Sequence, residues 1–129
     1  MTGPIFDTHA HYSAHAFDAD RFALLDSLPA KGVVGVCEQA THSGDAPRVL
    51  ELAHRYPWVV AAIGIHPESL LAPEDCGADG PAPTVSVYGG DWAAEMRALA
   101  PYYDDPKVVA VGECGLDYHW PVPKDAQLA

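Results

Sequence analysis

The chain has 129 residues, 49% hydrophobic and 19% charged, with a formal net charge of −11 at pH 7. That length allows one domain with a buried core. The charge excludes a broad basic surface for gripping duplex nucleic acid, whose non-specific affinity comes from neutralised phosphates, but not a small or end-on phosphate substrate held through divalent cations.

In chain order, Pro4 to His9 reads as a first strand. Asp18-Ala19-Asp20 offers an N-cap for a helix running to Leu28, with Phe22, Leu24, Leu25 and Leu28 as its apolar stripe. After Gly32, Val33-Val34-Gly35-Val36-Cys37 is a buried strand. Ser43 or Asp45 can cap the next helix, Pro47 sits in its first turn, and Val49, Leu50, Leu52 and Ala53 face inward until Pro57 ends it. Trp58 to Ile65 is a third, continuously apolar strand. Residues 67 to 90 form a long loop rich in proline, glycine and small residues, read as a surface insertion or a substrate lid. Asp91 opens a third helix containing Trp92, Met96 and Leu99, Pro101 closes it, and Val108 to Glu113 is the fourth strand. Pro123 to Ala129 has the pattern of a helix opening.

Continuous apolar strands alternating with amphipathic helices specify an α/β fold of parallel βαβ units. A doubly wound sheet and a (β/α) barrel both satisfy that pattern. Polar residues with ligand chemistry at the ends of strands one, three and four favour the barrel type, whose active site is built on the shared C-terminal rim. The expected architecture is an incomplete half barrel of about four strands and three to four helices. Its two open sheet edges invite self-association.

No apolar run reaches the ~20 residues of a bilayer span, and no basic-then-apolar leader opens the chain. A cytoplasmic protein without a membrane partner is expected. Cys37, Cys76 and Cys114 are odd in number and lack CxxC spacing, so reduced thiols are expected rather than a disulfide framework or zinc knuckle.

Two motifs carry the chemistry. In Asp7-Thr8-His9-Ala10-His11, residues two apart share a strand face, so His9 and His11 can grip one divalent ion. In Gly112-Glu113-Cys114-Gly115-Leu116-Asp117-Tyr118, Glu113 ends an apolar run and is placed to join them. A carboxylate closing a buried strand needs a partner, because an unpaired buried charge is costly.

Together with Gly64-Ile65-His66-Pro67, these motifs resemble the TatD family of metal-dependent deoxyribonucleases, a branch of the amidohydrolase-like (β/α) barrels. The resemblance runs from Ile5 to the last residue, the long loop excepted. It implies that residues 1–129 are the N-terminal part of such a barrel. His9 and His11 would ligate a first metal and Glu113 would bridge to a second. Mg²⁺ or Mn²⁺ is implied, with Zn²⁺ open because related barrels accept it. His66 would hydrogen-bond the phosphate or leaving group, and Asp117 would fix the Glu113 loop or orient a ligand. The family's other ligands, two histidines after strands five and six and an aspartate after strand eight, fall beyond residue 129.

The implied activity is hydrolysis of phosphodiester bonds, of the DNA exonuclease type, with half the ligand set in this chain. The alternatives are a non-catalytic barrel fragment and a related ester or amide hydrolase such as an aminoacyl-tRNA deacylase. Glu38, at the tip of strand two, is a lesser candidate for substrate contact. His15, His42, His54 and His119 have no ligand spacing and read as surface or helix-face residues, with His119 keeping a small functional share because it lies close to the Glu113 motif. Tyr102, Tyr103 and Trp92 read as core packing, and so does Cys114, turned away from Glu113 by alternation.

Overall fold

A computed structural model describes residues 3–70, 87–119 and 124–128. The strands are β1 (Ile5–Ala10), β2 (Val33–Gln39), β3 (Val59–Ile63) and β4 (Val108–Val111). The helices are α1 (Arg21–Ser27), α2 (Ala46–Arg55), α3 (Trp92–Leu99) and the single turn α4 (Lys124–Gln127). All four strands are parallel, in the order β1-β2-β3-β4.

This strand order, with helices packed on one side, decides between the two candidate architectures. One core joins Leu25 and Leu28 of α1, Val49, Leu52 and Ala53 of α2, and Leu99 of α3 to Val36, Val59, Ala61 and Ile63 of the sheet. A doubly wound sheet reverses its order and carries helices on both faces; here the order never reverses. The opposite face, reached by alternation from that core, carries Gly35, Cys37, Gln39 and Ala62. Phe6, Val109 and Val111 of the edge strands β1 and β4 are more than half exposed. The fold is a partial barrel wall.

The strands form where β-branched runs occur, and their ends are set by backbone chemistry. Gly32 closes the turn after α1 at φ 91°, a left-handed conformation that glycine adopts without penalty. Its N–H donates to Pro29 O, and Ile5 N–H donates to Gly32 O, so this turn also starts β1. In α3, Asp91 accepts the Ala94 N–H at 3.0 Å, the expected cap.

Several details depart from the sequence reading. Asp45 occupies the N-cap position of α2, but its carboxylate accepts the Thr41 N–H and O–H and the His42 N–H instead of capping the helix. Ser43 does not cap either; its N–H donates to Glu95 across the fold at 2.8 Å. Trp92 and Met96 are nearly half exposed, whereas Glu95 between them is fully buried, so α3 is anchored through a carboxylate as well as Leu99. Tyr102 and Tyr103 pack against the core as expected. Cys114 is exposed, because the chain leaves β4 at Val111 and strand alternation no longer governs it. Of the long 67–90 segment, Pro67–Leu70 is a 3₁₀ turn; residues 71–86, including Cys76, lie outside the described residues.

Candidate metal centre and cleft

The sheet places its functional groups at the C-terminal ends of the strands. On β1, Ala10 points into the core, which turns its neighbours His9 and His11 outward together. Their Nε2 atoms lie 3.1 Å apart. Glu113 reaches them from the other end of the sheet, its Oε2 3.5 Å from His9 Nε2 and 3.3 Å from His11 Nε2.

The route that brings Glu113 there is specified by backbone contacts. Past β4, Gly112 N–H donates to Ile63 O and Glu113 N–H donates to Ala40 O, so the chain crosses the tip of β3 toward β2. Gly64 lies under this crossing. A Cβ at residue 64 would stand 2.6 Å from Glu113 O and 2.7 Å from Gly112 C. The glycine of Gly64-Ile65-His66-Pro67 therefore admits the Glu113 backbone.

His66 completes the group. Its N–H donates to Thr41 O at 2.8 Å, and its Nδ1 accepts the Glu68 N–H at 3.1 Å. In a neutral imidazole this leaves the proton on Nε2, which faces Glu113 Oε1 at 3.4 Å. One carboxylate thus meets the His9–His11 pair with one oxygen and His66 with the other.

His9, His11 and Glu113 fit a divalent cation. Three electron-pair donors 3.1–3.5 Å apart repel one another unless a cation or shared protons lie among them. Their spacing is that of adjacent ligands around an ion with bonds of ~2.0–2.2 Å, and two imidazoles with one carboxylate form a familiar three-donor set. Among the described residues this is the group of His, Cys, Asp and Glu close enough to hold a metal.

A cavity of about 630 Å³ opens beside this centre. His11, His66, Glu113 and Asp117 line it, and so do His15, Thr41, His42, Asp45, Arg48 and Glu68. Asp117 stands in the cleft wall near Glu113, but its carboxylate is turned to its own loop, where it accepts the His119 N–H at 2.8 Å. Its backbone is clasped by Gln127 through two 2.7 Å hydrogen bonds. Glu38 is not in the cleft. It is fully buried on the core side, where Oε1 accepts the Ser13 N–H and Oε2 has no partner among the described residues.

The sequence reading missed the β2–α2 side of the cleft. His15 and His42, expected as plain surface residues, line it, and Arg48 of α2 was not singled out. The available signal was positional: the loop after β2 leaves from the same rim as the three motifs.

Residues 6–129 match the family described as TatD related DNase. The chain is 32% identical over 126 residues to the uncharacterized metal-dependent hydrolase YabD of Bacillus subtilis, covering 95% of this chain and 42% of YabD. It is 30% identical over 115 residues to the 3′-5′ ssDNA/RNA exonuclease TatD of Cronobacter turicensis, covering 89% of this chain and 37% of that protein. In the crystal structure of YjjV, a TatD homolog from Escherichia coli, a region 29% identical superposes with a TM-score of 0.68, covering 96% of this chain and 45% of YjjV. The chain spans about two-fifths of the length of the curated relatives it matches.

Proposed function

The chain belongs to the TatD-related DNase family, and on that premise we propose that it carries the N-terminal metal-holding part of a hydrolase acting on phosphodiester bonds at nucleic-acid ends. The observation that carries this reading is the convergence of His9, His11 and Glu113, from opposite ends of the chain, onto one point beside an open cleft. The relatives named as metal-dependent hydrolase and as ssDNA/RNA exonuclease support the reaction class.

His9, His11 and Glu113 would hold the cation; Mn²⁺ or Mg²⁺ is proposed, with Zn²⁺ favoured if the two imidazoles dominate. A divalent ion held there supplies Lewis acidity that neutralises charge building on phosphoryl oxygens. Glu113 also acts through its other oxygen, since Oε1 keeps His66 turned toward the centre. His66 presents an Nε2–H, the donor that a phosphate oxygen or a leaving oxygen requires. Asp117 organises the loop that follows Glu113 through its bond to His119 N–H.

Residues 1–129 are proposed as the first part of a closed (β/α) barrel. Four parallel strands leave β1 and β4 as open edges, with Val109 and Val111 exposed beside one of them. Self-association of this chain through those edges is part of the proposal. The same exposure favours the second reading, a fragment that binds metal without turnover. No helix among the described residues is long and apolar enough to cross a membrane; a cytoplasmic location is proposed with the rest.

The test is Mn²⁺- and Mg²⁺-dependent cleavage of an end-labelled single-stranded oligonucleotide by the 129-residue chain, with Glu113→Ala alongside and an aminoacyl-tRNA as competing ester substrate. Nucleotide release that disappears in the variant supports the nuclease. Metal binding without release establishes the non-catalytic fragment, and preferential deacylation moves the assignment to another ester hydrolase.

A further inference from the structure

The cleft has a second pole. Away from the triad, its wall is built by His15 after β1, His42 after β2 and Arg48 in the first turn of α2. Arg48 is the one lysine or arginine among the described residues of the cleft. One carboxylate, Asp18, is shared by Arg21 Nη2 and Arg48 Nη2, both at 2.7 Å, and by His15 Nδ1 at 2.8 Å. These bonds, His15 first, then Arg21 and Arg48, hold the Asp18 carboxyl well below the usual carboxylate range. Arg21 also faces the buried Glu38, and Glu51 borders a small cavity together with both guanidiniums.

Of the two guanidiniums, Arg48 is the less engaged. Arg21 is consumed internally: its Nε donates to Tyr12 O and its Nη2 to Ser13 O and Ala14 O. Arg48 spends Nη2 on Asp18, and its Nη1 lies 3.0 Å from the His15 ring nitrogens. No other acceptor among the described residues engages it, and about a third of its side chain faces solvent. His42 stands beside it with Nδ1 accepting the Gly44 N–H at 2.9 Å, which leaves an Nε2–H to donate. The acids of the cleft do not hydrogen-bond Arg48. Asp45 is turned back onto Thr41 and His42, while Glu68 and Asp117 belong to the segments after β3 and β4, on the triad's side.

We propose that Arg48, held in place by His15 and Asp18, forms with His42 a second anion subsite that binds a backbone phosphate of a nucleic-acid strand whose neighbouring phosphodiester lies at the triad. This subsite rests on the nuclease reading. The physical reason is that guanidinium forks pair with phosphate oxygens bidentately, and such charge-assisted bonds are about twice as strong as neutral ones. The cavity, about 630 Å³, exceeds what one phosphate fills and lies within the range of small-molecule sites, ~300–1,000 Å³. A strand engaging both poles is held by two phosphates, so the subsite selects oligonucleotides over mononucleotides.

The test needs no catalysis. The 129-residue chain in EDTA is titrated with tetrathymidylate at several KCl concentrations and followed by ¹H–¹⁵N NMR, with Arg48→Gln and Arg48→Lys in parallel. The expected result is a shift of the Arg48 Nε–H and His15 ring signals in the wild type. Arg48→Gln should bind roughly tenfold more weakly, with the slope of log K against log salt smaller by ~0.7. Arg48→Lys, which keeps the charge, should keep the slope. Equal affinity and slope in Arg48→Gln, or no binding by the wild type at millimolar ligand, overturns the subsite. A purely structural role for Arg48 would change thermal stability and leave the slope intact, which also overturns it. Mn²⁺ titration of the wild-type chain exchanged into EDTA-free buffer reads the triad separately. Arg48-dependent binding without Mn²⁺ affinity sinks the metal reading alone; Mn²⁺ affinity with Arg48-independent binding sinks the subsite alone.

Discussion

The tips of β2 and β4 each present a glutamate, and the two have opposite lives. Glu38, the penultimate residue of β2, points to the helix side, is fully buried, and accepts the Ser13 N–H. Glu113, two residues past β4, points to the rim and meets three histidines within 3.5 Å. Glu38 holds the loop that follows the His9–His11 segment, while Glu113 supplies a donor to the centre itself. The same side chain is an anchor where the core closes over it and a ligand where the cleft leaves it open. Burial decides which, because a carboxylate without water must be satisfied by fixed donors.

The sharpest way to break this comparison is Glu113→Ala. It removes one of three donors, so Mn²⁺ affinity should fall about 100-fold or more, measured by calorimetry. Thermal stability should change little. Unchanged affinity would mean that the histidines alone define the site. Glu38→Ala should do the reverse: it leaves the Ser13 N–H without its partner and costs about 1–3 kcal/mol in denaturant unfolding. Loss of Mn²⁺ binding with stability intact would show that Glu38 is itself a ligand.

A smaller effect is expected for Gly64→Ala, whose Cβ would meet Glu113 O at 2.6 Å and Gly112 C at 2.7 Å. Displacing the backbone that aims Glu113 should weaken Mn²⁺ by about tenfold, the lower end of losses from disturbed outer-shell partners. Wild-type affinity in that variant would separate the crossing from the aim of the carboxylate.

The smallest effect is a pH signature. Burial pushes the Glu38 carboxyl above its ordinary range, opposed by the Ser13 N–H. The folded chain then holds that proton more tightly than the unfolded chain. Glu38 therefore contributes a stability that is complete below the unfolded pKa, ~4.3, and is lost as pH rises through the raised folded value. Glu38→Gln keeps an acceptor for Ser13 and removes this contribution. The variant's melting temperature relative to wild type should rise as pH increases above ~4.3; a difference constant with pH would contradict the buried-charge account.

Much of the fold was legible in the chain because it rests on local patterns. The apolar runs Val33–Val36 and Val59–Ile63 form β2 and β3, and Asp91 caps α3. The boundaries shifted by a few residues where backbone bonding, not side-chain pattern, ends an element, as at Val111. Surfaces were harder to read. Trp92 was expected inside and is half exposed, while Glu95 is buried, since a burial assignment on α3 depends on what stands opposite it. The donors of the centre were legible through their motifs, but Arg48 was not, for an arginine in a helix's first turns is ordinary until the loop facing it is known.

The sequence by itself determined the strand–helix alternation, the types of donor available at the strand tips and the family the motifs resemble, all of which are properties of short segments. Only the tertiary structure decided that Glu113 reaches His9 and His11 while Glu38 turns inward, and that His15, His42 and Arg48 share one wall of the cleft. Those facts depend on strand order, on register and on a glycine that lets one backbone cross another. Which residues stand within 3.5 Å across a sheet is set by packing of the whole layer, and no local stretch of chain encodes it.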